Sequence, residues 1–183
     1  YCFVEVNTIH KDDLDLEEWK QVVLDLKKRG CVAITLMGGE PLLFKGLDEL
    51  VVFSKKLSIS VDLITNGIGI EKQISTVKKV SSVMVSLDGD KEANDINRGK
   101  NSHKHVVEAV RILKENKIPV RINCMVARQN KNALPWLFEF AEEHKAPITF
   151  NLLSDFPHDA KDLEKDIMLS KDEIVEFYTK ILD

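Results

Sequence analysis

Short runs rich in β-branched residues alternate along the chain with longer stretches whose apolar positions recur at helical spacing. The runs cover 32–37, 59–65, 82–87, 120–126 and 148–153 and read as strands. The stretches between them predict helices over 47–57, 71–79, 103–116 and 134–144. Another helix precedes the first run. Asp15 can cap it, Glu18 completes a capping box, and Leu14 with Trp19 makes a hydrophobic staple. Leu16, Trp19, Val22, Val23 and Leu26 then share one face until Gly30 stops the helix. A last helix starts at Ser170, with Glu173 closing its box and Leu169 and Ile174 as its staple. Residues 154–170 form a polar connection with a short helical piece.

Five strands alternating with helices imply right-handed βαβ units and a parallel sheet. A (β/α) barrel, complete or partial, and an open doubly wound sheet both fit. In either, functional groups gather at the carboxyl ends of the strands. Those ends are polar here. The first carries Gly38-Gly39-Glu40-Pro41, the second Thr65-Asn66-Gly67, and the third Ser86-Leu87-Asp88-Gly89, with Asn94, Asp95, Arg98 and Gly99 soon after. Each of these pieces alone also reads as an ordinary turn or a solvated side chain. Asn123, among apolar neighbours, is either a hydrogen-bonding core residue or a ligand contact, because a buried amide must find partners. Together the groups place small and polar residues around one mouth.

Composition narrows the classes. The 183 residues include 26 Lys and Arg against 30 Asp and Glu, so the net charge is 26 − 30 = −4. That balance offers no basic footprint for nucleic acid. An apolar share of 44% suits one globular domain with a core and excludes intrinsic disorder. No apolar run reaches the ~18 residues of a membrane span. Cys2, Cys31 and Cys124 are too few and scattered for a disulfide framework, and an odd count points to a reducing compartment or a metal. His103, His105, His144 and His158 lack metal-ligand spacing, and His10 reads as a polar loop residue.

The order Tyr1-Cys2-Phe3, Met37-Gly38-Gly39-Glu40-Pro41-Leu42, Thr65-Asn66-Gly67, Ser86-Leu87-Asp88-Gly89 and Arg98-Gly99 resembles the radical S-adenosylmethionine (SAM) superfamily. It is nearest to the branch of peptide and sulfatase maturases and the molybdenum-cofactor cyclase. The resemblance covers essentially the whole chain, 1–183, as a radical SAM core domain. It implies an α/β fold, a partial (β/α)6 TIM-like barrel of parallel strands whose first strand and most of whose cluster loop precede this chain. It implies a 4Fe-4S cluster held by three cysteines, Cys2 being the third, and SAM on the remaining iron. It assigns Gly38, Gly39 and Glu40 to the SAM amino group, with Thr65 and Asn66 beside them. Ser86 and Asp88 match positions near the ribose and carboxylate, and Arg98 pairs with the carboxylate. Asn123 lies near the ribose. Tyr1 and Phe3 lie beside the adenine, with Asn151 and Leu152 as weaker candidates on the last strand. The chemistry is consistent: thiolates suit iron–sulfur clusters, a carboxylate receives an ammonium, and a guanidinium fork receives a carboxylate.

On this resemblance, one electron from the cluster cleaves SAM to a 5′-deoxyadenosyl radical that takes hydrogen from a substrate, a peptide or protein side chain in preference to a small molecule. The resemblance also implies an electron donor such as a flavodoxin or ferredoxin and a cytoplasmic location. The other two cluster cysteines are expected upstream of Tyr1, three and seven residues before Cys2. Cys31 and Cys124 do not replace them and read as small buried hydrophobes. The stretch 160–182 resembles one that leads into an auxiliary-cluster domain. The alternative is a cluster-less relative that keeps the fold and a SAM or nucleotide pocket. An ordinary metabolite-binding domain has less support, since neither G-x-G-x-x-G nor a P-loop is present. The reading expects Glu40, Ser86, Asp88, Arg98 and Asn123 to converge on one cavity.

Overall fold

The computed structural model describes residues 13–152 and 167–182. Tyr1, Cys2, Phe3, His10 and His158, and the expected helical piece within 154–170, lie largely or wholly outside that range. The strands are β1 (Ala33–Leu36), β2 (Ser60–Thr65), β3 (Ser82–Ser86), β4 (Val120–Val126) and β5 (Ile148–Leu152), hydrogen-bonded in that order. The helices are α1 (Leu16–Lys28), α2 (Leu47–Lys56), α3 (Ile74–Val77), α4 (Lys91–Arg98), α5 (Ser102–Glu115), α6 (Leu134–Glu143) and α7 (Lys171–Leu182). Short 3-10 turns cover Pro41–Leu43 and Lys131–Ala133. The chain divides into two compact units, Tyr1–Ser86 with His105–Arg121, and Leu87–Lys104 with Ile122–Asp183.

In the first unit, β1, β2 and β3 pair in parallel, with Ala33 opposite Ser60 and Asp62 opposite Ser82. Alternation along a strand sends successive side chains to opposite faces. Val61, Leu63, Val83 and Val85 are fully buried on one face. Their neighbours Ser60, Asp62, Ile64, Ser82 and Met84 are only half-buried, and Ser82 donates to Asp62 at 2.7 Å. A doubly wound sheet is covered on both faces and reads as continuous apolar runs. One packed and one mixed polar face is instead the pattern of a barrel wall. Val23, Leu50 and Ile59 form a core cluster, flanked by Leu16, Ile34, Leu36, Phe44, Phe53 and Leu57.

The expected capping box of α1 is present, with Asp15 accepting from the Glu18 N–H at 2.9 Å and Glu18 accepting from the Asp15 N–H at 2.8 Å. Its apolar face is less covered than the periodicity implied. Val23 is buried, but Leu14, Trp19 and Leu26 are each more than a third exposed. The predicted helix 71–79 contracts to Ile74–Val77, because the chain before it is taken up by turns bonded to Gly69 and Ile70. Asp48 on α2 holds this short helix through Thr76 at 2.9 Å and Lys79 at 2.5 Å.

In the second unit, β4 and β5 pair in parallel, with Ile122 opposite Ile148 and Val126 opposite Leu152. Ile122, Cys124 and Val126 are fully buried, in alternation with half-buried Asn123 and Met125. Phe150 packs tilted on Phe138 and edge-on against Phe177 of α7, at 5.7 and 5.4 Å between ring centroids. The second capping box is present as well, with Ser170 N–H donating to Glu173 at 2.8 Å and Glu173 N–H to Ser170 at 3.3 Å. Helix α4 was not expected, because only Ala93 and Ile96 are apolar in it and no stripe forms. Polar bonds define it instead. Asp90 caps its start through the Ala93 N–H at 3.0 Å. Asp95 accepts from the backbone N–H of His103 at 2.9 Å and of Asn101 at 3.1 Å. The His103 N–H, chiefly, and the Lys91 ammonium hold the Asp95 carboxyl well below the usual carboxylate range.

Candidate functional site

At the strand ends of the first unit, Glu40 is the centre of a small network. It follows Gly38 and Gly39, both exposed just beyond β1. Its Oε1 accepts from the Leu42 N–H at 3.1 Å and the Thr65 hydroxyl at 2.7 Å, and its Oε2 accepts from the Asn66 N–H at 2.9 Å. Thr65, 2% exposed, also accepts the Gly67 N–H at 3.1 Å. Asn66 accepts the Ile68 N–H at 2.8 Å, which turns the chain away from β2. Gly67 is required here: its φ is +85°, and a Cβ would sit 3.2 Å from the Val106 backbone. Thr65-Asn66-Gly67 therefore orients Glu40. A carboxylate has about four acceptor sites. With three donors on it, Glu40 retains one acceptor site, on Oε2. Among the described residues, no atom lies within 4 Å of a Cβ built on Gly38, so none of them occupies the space beside that backbone.

At the strand ends of the second unit, Asp88 is fully buried. Arg98 grips it as a fork, Nη2 at 2.8 Å from Oδ1 and Nε at 2.8 Å from Oδ2. Oδ1 also accepts from the Met125 N–H at 2.9 Å, and Oδ2 from Asn97 Nδ2 at 3.3 Å. The Asp88 N–H donates to Asn94 at 2.9 Å, and its carbonyl accepts from Asn130 Nδ2 at 2.7 Å. Asn130, fully buried, also donates to the Met125 carbonyl at 2.8 Å and accepts the Ala127 N–H at 2.7 Å. Gly89 has φ +142°, and a Cβ there would lie 2.7 Å from that of Ala133, so no larger residue fits the turn.

The structure thus brings Glu40, Thr65 and Asn66 together in one unit, and Asp88 and Arg98 in the other. Ser86 ends β3 at 8% exposure. Asn123 is a hydrogen-bonding residue: its Oδ1 accepts from exposed Asn151 at 2.5 Å, while Leu152 is half-buried at the end of β5. Arg98 binds the Asp88 carboxylate within the protein, a contact the sequence did not indicate. Asp88 itself is fully buried, with both carboxylate oxygens engaged by protein groups. Sequence reasoning missed Asn97 and Asn130, and it named Asn94 only as one of the polar groups around the mouth, not as a partner of Asp88. Their signal is asparagine density, with Asn94 and Asn97 on one turn of α4, but long-range bonds to Asp88 cannot be read from spacing.

Glu40, in the first unit, offers a charged acceptor that suits an ammonium, and Arg98, in the second, offers a cation held on Asp88. The cluster ligand assigned from the sequence, Cys2, lies outside the described residues. Neither Cys31 nor Cys124 lies in a group of metal-ligating side chains among the described residues. Burial, and then the Asp88 charge, push the Cys124 thiol far up. Cys31 is half-buried, less than expected, and donates to the Ala33 carbonyl at 3.1 Å. Among the described residues no group of three metal-ligating side chains occurs, and no helix is long and apolar enough to cross a membrane.

Comparison with known proteins places the chain. The family model described as the radical SAM superfamily matches residues 1–141. The Fe-coproporphyrin III synthase of Methanosarcina barkeri is 30% identical over 177 residues, which is 93% of this chain and 44% of that protein. The sporulation killing factor maturation protein SkfB of Bacillus subtilis is 30% identical over 134 residues, 71% of this chain and 33% of that protein. The crystal structure of Streptococcus suis SuiB bound to precursor peptide SuiA superposes with a TM-score of 0.82 at 18% identity, covering 100% of this chain and 42% of that one. The chain spans less than half the length of each of these relatives. It belongs to the radical SAM superfamily and has the α/β fold of parallel strands of that family's partial TIM-like barrels.

Proposed function

We propose that this member of the radical SAM superfamily is the SAM-binding core of an enzyme that modifies a peptide by hydrogen abstraction. The observation that carries the reading is Glu40, a carboxylate at the strand ends held by three neutral donors with one acceptor site remaining, beside open glycine backbone. In this role Glu40 and the Gly38-Gly39 backbone receive the SAM ammonium, with Thr65 and Asn66 keeping Glu40 in place. Arg98 receives the carboxylate, and Ser86 and Asn123 contribute near the ribose. Tyr1, Phe3 and Leu152 take the adenine side, and Cys2 is a thiolate ligand of the cluster. When bound, the 4Fe-4S cluster supplies the one-electron cleavage of SAM that yields the hydrogen-abstracting 5′-deoxyadenosyl radical. The protein's own work is to orient SAM and exclude water. A flavodoxin or ferredoxin suits the supply of the electron.

A peptide substrate is supported by the maturation role in the name of SkfB and by the precursor peptide bound to SuiB. A second reading, a tetrapyrrole substrate, is favoured by the longer match to the coproporphyrin synthase. The test is anoxic reconstitution of the full-length protein with iron and sulfide. Dithionite and SAM are then added, and 5′-deoxyadenosine is quantified with and without short peptides or coproporphyrin. Formation that is lost in Glu40→Gln supports the reading, and stimulation by one substrate class selects between the two. SAM binding without any cleavage would favour the cluster-less relative instead.

A further inference from the structure

The SAM reading leaves Asp88 without a direct task, because it is fully buried and occupied by protein donors. Its surroundings suggest a different one. Its bonds with Arg98, Asn97, Met125, Asn94 and Asn130 are made within the second unit and converge from three parts of that unit. Arg98 and Asn97 come from the end of α4, Met125 from the end of β4, and Asn94 and Asn130 hold its own backbone. A guanidinium is otherwise a long side chain with many rotamers. One hydrogen bond, from Nη2 to Oδ1, and the ion-pair contact of Nε with Oδ2 at 2.8 Å hold it at two points against a buried carboxylate, which limits both its plane and its reach. Asn130 ties the same residue's carbonyl to β4, so the anchor cannot drift relative to that strand.

We infer that Asp88 is a positioning residue for SAM: it presents Arg98 in one orientation, and it acts through Arg98 and not by touching the ligand. This rests on the proposed SAM-binding function of the site. Asp88→Asn keeps the shape but removes the charge that orients the fork. In Asp88→Asn, SAM affinity falls, while any direct ligand from the other unit is untouched.

The experiment is a double-mutant cycle on the reconstituted full-length protein, with Kd for SAM from isothermal titration calorimetry and the thermal midpoint of each variant. Asp88→Asn is expected to weaken SAM by about tenfold, and Arg98→Lys by a similar factor. The double variant should be no weaker than Arg98→Lys alone, because the two residues form one device. Full additivity, or an Asp88→Asn protein that binds SAM as tightly as the wild type, overturns the inference while leaving the SAM reading intact. A wild-type protein that does not bind SAM removes both. If Asp88→Asn does not fold, Asn97→Ala replaces it, since it removes only the 3.3 Å contact from a half-buried side chain. It should weaken SAM by about threefold in the wild-type background and not at all beside Arg98→Lys. An effect that persists beside Arg98→Lys overturns the inference.

Discussion

Two carboxylates end two strands, and they are held in opposite ways. Glu40, half-buried, is held by a hydroxyl and two backbone N–H groups. Asp88, fully buried, is held by a guanidinium fork. Neutral donors orient a carboxylate without cancelling its charge, so Glu40 can still receive a cation. Arg98 neutralises the Asp88 carboxylate and takes up its oxygens, so Asp88 cannot receive a cation as Glu40 can. The same residue chemistry at strand ends thus leaves a carboxylate with an open acceptor site in one unit and one wholly engaged by protein groups in the other.

The largest expected effect breaks the anchor. Asp88→Ala strands Arg98, only 19% exposed, without its carboxylate. Removing one partner of a buried pair costs about 3–5 kcal/mol, so a large drop in urea midpoint at unchanged m-value is expected. A protein as stable as the wild type would mean that Arg98 finds another partner. Next comes Asn130→Ala, which leaves two carbonyls and the Ala127 N–H without this side chain. At roughly 1–3 kcal/mol for each group left unsatisfied, a loss of about 3 kcal/mol is expected by the same measurement. Glu40→Gln should cost about 1 kcal/mol of stability, because Glu40 is only half-buried and the glutamine amide keeps one oxygen to accept from its neighbours. Its SAM affinity should nevertheless fall at least as far as that of Asp88→Asn. Equal SAM affinity in Glu40→Gln and wild type would erase the contrast between the two carboxylates.

The smallest effect concerns a third carboxylate, Glu173 at the start of α7. Lys131, then the Ser170 N–H, and also Arg128 hold it down to about 2, from a usual 4.5. A depressed folded-state value means that the stabilisation is complete above about 4.5 and is lost as pH falls toward 2. An acid titration followed by α7 helicity should show this loss in wild type, and Lys131→Met should shift it to higher pH. Coincident curves would show that the pairing contributes nothing measurable.

The strands were legible because each is a short β-branched run, and β4 was predicted to the residue. Both capping boxes were legible because their partners lie three residues apart. Helix α4 was not, since its bonds are polar and partly made to Asp88, Ser102 and His103. At the site, the sequence motifs named Glu40, Thr65 and Asn66, and the structure joins those three. Asp88 and Arg98 were named one by one, and their bond to each other was not. Ten residues separate them, and only the turn of α4 brings the guanidinium back onto the strand end.

Chain order and residue type alone settled the alternation of strands and helices, the polar strand ends and the family. Those depend on local periodicity and on motifs of adjacent residues, which need no partner from elsewhere in the chain. The packed and open faces of the strands, the spent charge of Asp88 and the clamp of Asn130 were decided only in the tertiary structure. Each depends on which groups share a buried volume and so exchange water for one another, and a linear pattern carries no information about that exchange.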